Sequence, residues 1–257
     1  MKKYIFITII GIILIMPSVA SSATYEMDEV KRFAESEGLD VFKKLMLEDP
    51  EGYGFKNTAQ IESVVVGDGL PIYWVDAGKL RAADANTSLQ SILRPSNQWE
   101  FTVFVDGTAT SFLTIGEINH ALDVVAAGGT SEAFDKAYKK ISVHSDPDSS
   151  VILAMIEGTH VLVSSVDHQE VALSESNVAL YGEQKASLIP SENVVTQLKV
   201  SQNAEEQEND GGVLVLNQSV ERDAKPVWRM AAISGGIAIA AAWALQKAMN
   251  RKKKAGG

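Results

Sequence analysis

The sequence predicts an α+β fold: an antiparallel sheet of five to six strands built from hairpins, with helices packed on one face. The same reading places an amino-terminal signal peptide before this body and a carboxy-terminal transmembrane helix after it. Three observations support it. Asp-Gly and Glu-Gly pairs separate apolar runs, as two-residue hairpin turns require. Apolar residues recur at helical spacing before and between those runs. Each end of the chain carries an uncharged apolar stretch flanked by basic residues.

The first element of the body is "EMDEVKRFAESEGLDVFKKLMLEDP", where Val30, Phe33 and Ala34, then Phe42, Leu45 and Met46, recur at helical spacing. Gly38 is expected to break or bend this helix, and Pro50 to end it. Three hairpins are predicted, turning at Asp68-Gly69, Asp106-Gly107 and Glu157-Gly158, because the residue pair must supply positive φ. With Val105 paired to Thr108, Phe101 would face Phe112 and Trp99 would face Thr114. In the third hairpin Met155 would face His160.

Two helices are expected between the second and third hairpins. "TIGEINHALDVVAAGG" has a Thr114 to Glu117 capping spacing, a stripe of Ile118, Ala121, Leu122 and Val125, and a Gly128-Gly129 stop. "TSEAFDKAYKKI" has Phe134, Ala137, Tyr138 and Ile141 on one stripe, and no repeat of fixed length is evident along the chain.

The two ends define the organisation. "MKKYIFITIIGIILIMPSVASSA" has the basic, apolar and small-residue order of a signal peptide, residues 1–23, with cleavage after Ala20 or Ala23. The body follows at 24–200, then an acidic linker at 201–226 that includes "SQNAEEQENDGG". From Met230 to Leu245 sixteen residues carry no charge, about 24 Å of helix against roughly 30 Å of hydrocarbon. Trp228 and Trp243 suit the interfaces, and Arg251 to Lys254 the cytoplasmic side, so 227–247 is read as the span and 248–257 as a short basic tail. The expected location is the cell membrane, single pass, with the body outside the cytoplasm and the carboxy terminus inside.

Charge and composition exclude several function classes. The 33 acidic residues all lie between Glu26 and Asp223 with only 14 of the 23 Lys+Arg, a net charge of −19 that argues against nucleic-acid binding. Cysteine is absent, which removes thiol catalysis, disulfides and Cys-ligated metals. Within the span Gly236, Ala240 and Ala244, and Ser234, Ala238 and Ala242, repeat every four residues, a spacing that permits helix pairing with another membrane protein or a second copy.

Chemistry-bearing motifs are sparse. There is no Gly-x-Ser-x-Gly, Walker or dinucleotide glycine pattern. His120 with Asp123, and His144 with Asp146 and Asp148, are the nearest approaches to a metal set, but the first lacks a third ligand and the second reads equally as a turn. His160 and His168 are too far apart for an HExxH pair. Tyr73, Trp74 and Trp99 could line a groove, but strand aromatics are more often core. No catalytic, cofactor-binding or metal-binding residue is therefore assigned, and no cofactor is expected. The sequence suggests an extracytoplasmic binding, sensing or scaffolding module of the envelope; the alternative is an envelope hydrolase using acidic residues or a His/carboxylate metal site.

Overall fold

The computed structural model describes residues 25–205 and Leu216; the signal peptide, most of the linker, the span and the tail lie outside the described residues. The body is α+β, and its sheet is mostly antiparallel, but it has eight strands rather than five to six. The strands are β1 (Val65–Val75), β2 (Leu93–Val105), β3 (Thr108–Ile118), β4 (Ala121–Gly128), β5 (Ile152–Ile156), β6 (Thr159–Val166), β7 (Gln169–Ser174) and β8 (Ile189–Pro190). Their order across the sheet is β4-β3-β2-β1-β5-β6-β7-β8, so two antiparallel halves meet at one parallel pair, β1 with β5. No helix of the described residues is long and apolar enough to cross a membrane.

Helices cover both faces of this sheet, not one. The entry helix runs as α1 (Met27–Phe33), a π turn (Ala34–Gly38) and α2 (Leu39–Met46), followed by the short α3 (Thr58–Glu62). Val30, Ala34, Phe42 and Met46 pack with Phe101, Val103, Leu113 and Ile115 of β2 and β3. Gly38 does not break this helix. A Cβ there would lie 3.2 Å from Ile115 Cδ1, so the glycine permits a close approach to β3.

On the other half, α4 (Ala77–Ala82) and α7 (Ser191–Glu205) enclose Ala154, Ile156, Val161 and Val163. The opposite face is covered by α5 (Glu132–His144) and α6 (Glu175–Tyr181), which bury Phe112, Leu153, Leu162 and Leu173. Of the predicted stripe, Phe134, Ala137 and Ile141 are the buried side of α5, and Tyr138 packs half-buried against the same core.

Burial on both faces explains where sequence periodicity misleads. Residues 114–129 form the end of β3 and all of β4, with no helix between the second and third hairpins except α5. In β3 every residue from Ser111 to Gly116 is buried, so the polar alternation of a half-exposed strand is missing. Helical spacing of Ile118, Ala121, Leu122 and Val125 then arises by coincidence across a turn at Asn119-His120, whose φ values are 53° and 63°.

Four such two-residue turns, with positive φ at both positions, join β2 to β3, β3 to β4, β5 to β6 and β6 to β7. Asp106-Gly107 and Glu157-Gly158 were legible as turns, and Val105 faces Thr108 and Met155 faces His160 as expected. Asn119-His120 and Asp167-His168 carry no glycine and give no comparable sequence signal. Because His120 sits at φ 63°, His120→Gly is expected to raise stability by about 0.5–1 kcal/mol in urea denaturation. A helix at this position would give the opposite sign.

Two further expectations are corrected by register. Asp68-Gly69 lies inside the single strand β1, where Cβ atoms at Gly67 and Gly69 would come within 2.5 and 2.4 Å of the Phe104 and Phe101 rings. These glycines make room for aromatic side chains across a bulged strand rather than a turn. A second irregularity, between Val103 and Phe104, shifts the β2–β3 pairing by one residue. Phe101 therefore faces Leu113 and Trp99 faces Ile115, while Phe112 faces Thr102 and points to the α5 side.

Candidate functional site

The sheet curls. From β3 to β6 is four strand spacings, about 19 Å if flat, yet the rings of Phe112 on β3 and His160 on β6 have centroids 4.7 Å apart. Inside that curl, beneath Phe134 of α5, the fold gathers its buried ionisable groups. His160 is 7 % exposed and Glu100 is 5 % exposed. The Phe134 ring centroid lies 5.2 Å from that of His160, and Phe112 and Phe134 meet edge to face at 5.4 Å.

Each member is placed by its element. Glu100 on β2 stands opposite Thr114 on β3, whose Oγ1 donates to Glu100 Oε2 at 2.9 Å. His160 follows the Glu157-Gly158 turn. Glu175 is the first residue of α6, which is capped by Ser174 Oγ accepting from the Ser176 N–H at 3.1 Å. Glu175 Oε1 accepts from the His160 backbone N–H at 3.3 Å and lies 2.9 Å from His160 Nδ1. The imidazole contact has ion-pair distance without the alignment of a hydrogen bond, and Nε2 has no protein partner.

Electrostatics set the proton inventory. Burial opposes charge on His160 more than any other single influence, but the carboxylates of Glu175 and Glu100 together outweigh it and hold the ring above the usual histidine range. Burial pushes Glu100 above the usual carboxylate range, against the pull of His160 and the Thr114 hydroxyl. These influences favour the charged form of the imidazole beside Glu175 and the neutral form of the Glu100 carboxyl. The Phe112 and Phe134 rings cover His160, and the cluster joins three strands to α6, with Glu175 at its one-fifth-exposed edge.

The histidines singled out in the sequence are otherwise dispersed. His120 lies in an exposed turn, its side chain 80 % accessible, with Nδ1 3.3 Å from Glu117 rather than beside Asp123. His144, near the end of α5, has Nδ1 2.7 Å from the Lys140 carbonyl and borders a shallow surface recess with Lys139 and Val143. Asp146 is engaged in shaping the β6–β7 turn: its carboxylate accepts from Ser165 Oγ at 2.6 Å and from the N–H groups of Asp167 and His168 at 3.0 and 3.1 Å. Among the described residues no three His, Asp or Glu side chains converge as a metal set.

Asp146, Ser165 and His168 resemble the parts of a hydrolytic triad, but they are connected differently. The serine donates directly to the carboxylate, and His168 Nδ1 is 3.9 Å from the same carboxylate with its side chain 98 % exposed. No imidazole is bonded to the serine to take its proton. The aromatics follow the core reading for Tyr73 and Trp99, whereas Trp74 is partly exposed with the Arg94 guanidinium 5.3 Å from its ring centroid.

A pH profile follows from two opposed sets. The Ser165 hydroxyl and the turn N–H groups hold Asp146 below the usual carboxylate range, so its contribution is present above the unfolded carboxylate value and is lost as pH falls through the folded one. His160 and Glu100 are raised, so their contribution is present at low pH and is lost as pH rises through their folded values. Thermal melts against pH are expected to show both limbs, with Asp146→Asn flattening only the acid one.

Sequence reasoning saw Met155 opposite His160 but not Glu100 or Glu175. Their meeting depends on curl across the whole sheet, and the one available signal was a glutamate within the otherwise apolar "WEFTVFV". Comparison with protein-family models, with curated proteins and with solved structures returned no match, so the chemistry of the site rests on its own geometry.

Proposed function

We propose that this chain is a membrane-anchored extracytoplasmic module that binds, senses or scaffolds at the cell envelope. The observation that carries this reading is the sealing of the body's buried ionisable groups behind Phe112 and Phe134, an arrangement suited to holding conformation rather than to turning over a substrate. A docked Leu216 adds support. It is 1 % exposed in the core beneath α4 and α7, and only ten residues, 217–226, separate it from Val227, where the proposed span begins. Eleven extended Cα steps reach about 40 Å at most, so the body would stay close to the bilayer surface.

In this reading the basic residues after the span lie in the cytoplasm, and any signal passes through a membrane or envelope partner. Association through the small-residue face of the span with a second copy or another membrane protein belongs to the same proposal. The test is protease accessibility of one epitope in the exposed Asp106-Gly107 turn and another after Gly257. Cleavage of the first alone in cells with an opened outer barrier is the expected result. Protection of both, with recovery in the soluble fraction, would overturn the anchored topology.

A further inference from the structure

The first turn of α6 joins two buried features. Glu175 faces His160, as described above. Two residues on, roughly 200° around the helix, Asn177 is 1 % exposed and spends its whole amide on one distant residue. Asn177 Nδ2 donates to the Leu216 carbonyl at 2.9 Å, and Asn177 Oδ1 accepts from the Leu216 N–H at 3.1 Å. This pair reproduces what a neighbouring strand would offer, so a side chain holds the backbone at 216 as a sheet would. Leu216 itself fills the core formed by α4, α7 and the outward face of β5 to β7.

We propose that α6 is a proton-operated latch: the cluster of His160, Glu175 and Glu100 holds its first turn against the sheet, and that turn holds Leu216 through Asn177. Loss of a proton from the cluster loosens the turn and releases Leu216 from its place in the core. The latch rests on the fold alone; only its use at a membrane depends on the anchored reading.

The groups around His160 account for this behaviour. Glu175 faces it from α6 and Glu100 acts on it from β2; β3 contributes the Thr114 hydroxyl on Glu100 and the Phe112 ring, α5 contributes Phe134, and β5 contributes Met155 as cross-strand neighbour. With His160 charged, Glu175 ionised and Glu100 neutral, the charges cancel. Removing the His160 proton leaves the largely buried Glu175 carboxylate without its counter-charge, and ionising Glu100 adds a second. Both groups are raised in the folded state, so the holding free energy is present at low pH and declines as pH rises through their folded values.

The test uses the full chain in detergent micelles, followed by NMR and amide hydrogen exchange from about pH 5 to about pH 9, which brackets the ordinary histidine value. The quantity read is protection of the Leu216 amide relative to amides of the β2–β3 ladder, each corrected for intrinsic exchange. In the unmodified protein this ratio is expected to fall by up to about tenfold for each pH unit by which His160 is raised. The fall should span the interval between the ordinary histidine value and the folded titration of the His160 ring, and level off as that titration completes.

His160→Gln is expected to reduce the fall to the part that Glu100 contributes, and Glu175→Gln to make the fall smaller and end it at lower pH. A ratio independent of pH, or the same fall in His160→Gln, would overturn the latch. Should His160→Gln fail to fold, Glu175→Gln decides, because that side chain is one-fifth exposed and tolerates an isostere; a fall of unchanged size there rejects the proposal. None of these outcomes depends on topology. The epitope test can fail while the latch stands, and the reverse.

Discussion

His160→Leu is expected to destabilise the body by about 3 kcal/mol near neutral pH, the lower end of the cost of breaking a buried ion pair. The loss comes from the carboxylates left behind more than from the missing contact. Glu175 loses its counter-charge, and Glu100 loses the neighbour that draws its proton affinity back down. Replacing Glu175 as well, in His160→Leu with Glu175→Gln, is therefore expected to recover part of the loss. A double-mutant cycle in urea measures that coupling, and strictly additive effects would count against the cluster as a unit.

The neighbouring substitution Glu100→Gln separates charge from shape. Because burial raises Glu100, its neutral form prevails at low pH, where the isosteric amide should change stability little. As pH rises the native carboxyl ionises at a cost that the amide never meets. Glu100→Gln is thus expected to match the unmodified protein at acid pH and exceed it at alkaline pH, read from melting temperatures across the range.

Phe101→Ala is expected to cost about 3–5 kcal/mol in the layer beneath α1 to α3. Phe101 is fully buried there, and its ring lies over Gly69 of the bulged β1. A second substitution reveals the geometry. Gly69→Ala places a Cβ 2.4 Å from the Phe101 ring and should cost about 1–3 kcal/mol through overpacking. With Phe101 already truncated, the same methyl enters the space vacated by the ring, and its cost should fall close to zero. Equal costs in both backgrounds would mean that Gly69 is required by backbone conformation rather than by the ring.

Much of the local structure was legible in the residues. The entry helix, α5 and the turns at Asp106-Gly107 and Glu157-Gly158 each carry a signal within about a dozen residues: an apolar stripe, or a glycine where φ must be positive. The Met155–His160 pairing follows from its turn alone. Local signals misled where tertiary packing altered their meaning. Asp68-Gly69 has the residues of a turn, but the rings of Phe104 and Phe101 need those glycines in a strand. Residues 114–129 have helical spacing, but a sheet covered on both faces removes the alternation that would identify two strands.

The sequence by itself determined the α+β class, the acidic body, the lack of any thiol chemistry and the helical and turn segments whose causes are local. Tertiary structure alone decided the eight-strand order with its parallel seam, the helices on both faces, and the bulge that turns Phe112 away from Phe101. It also decided the meeting of Glu100, His160 and Glu175, and the hold of Asn177 on Leu216 across 39 residues of chain. The physical reason is range. Propensity and periodicity act within one element, whereas curl, register and burial of charge depend on strands far apart in sequence packing around the same side chains.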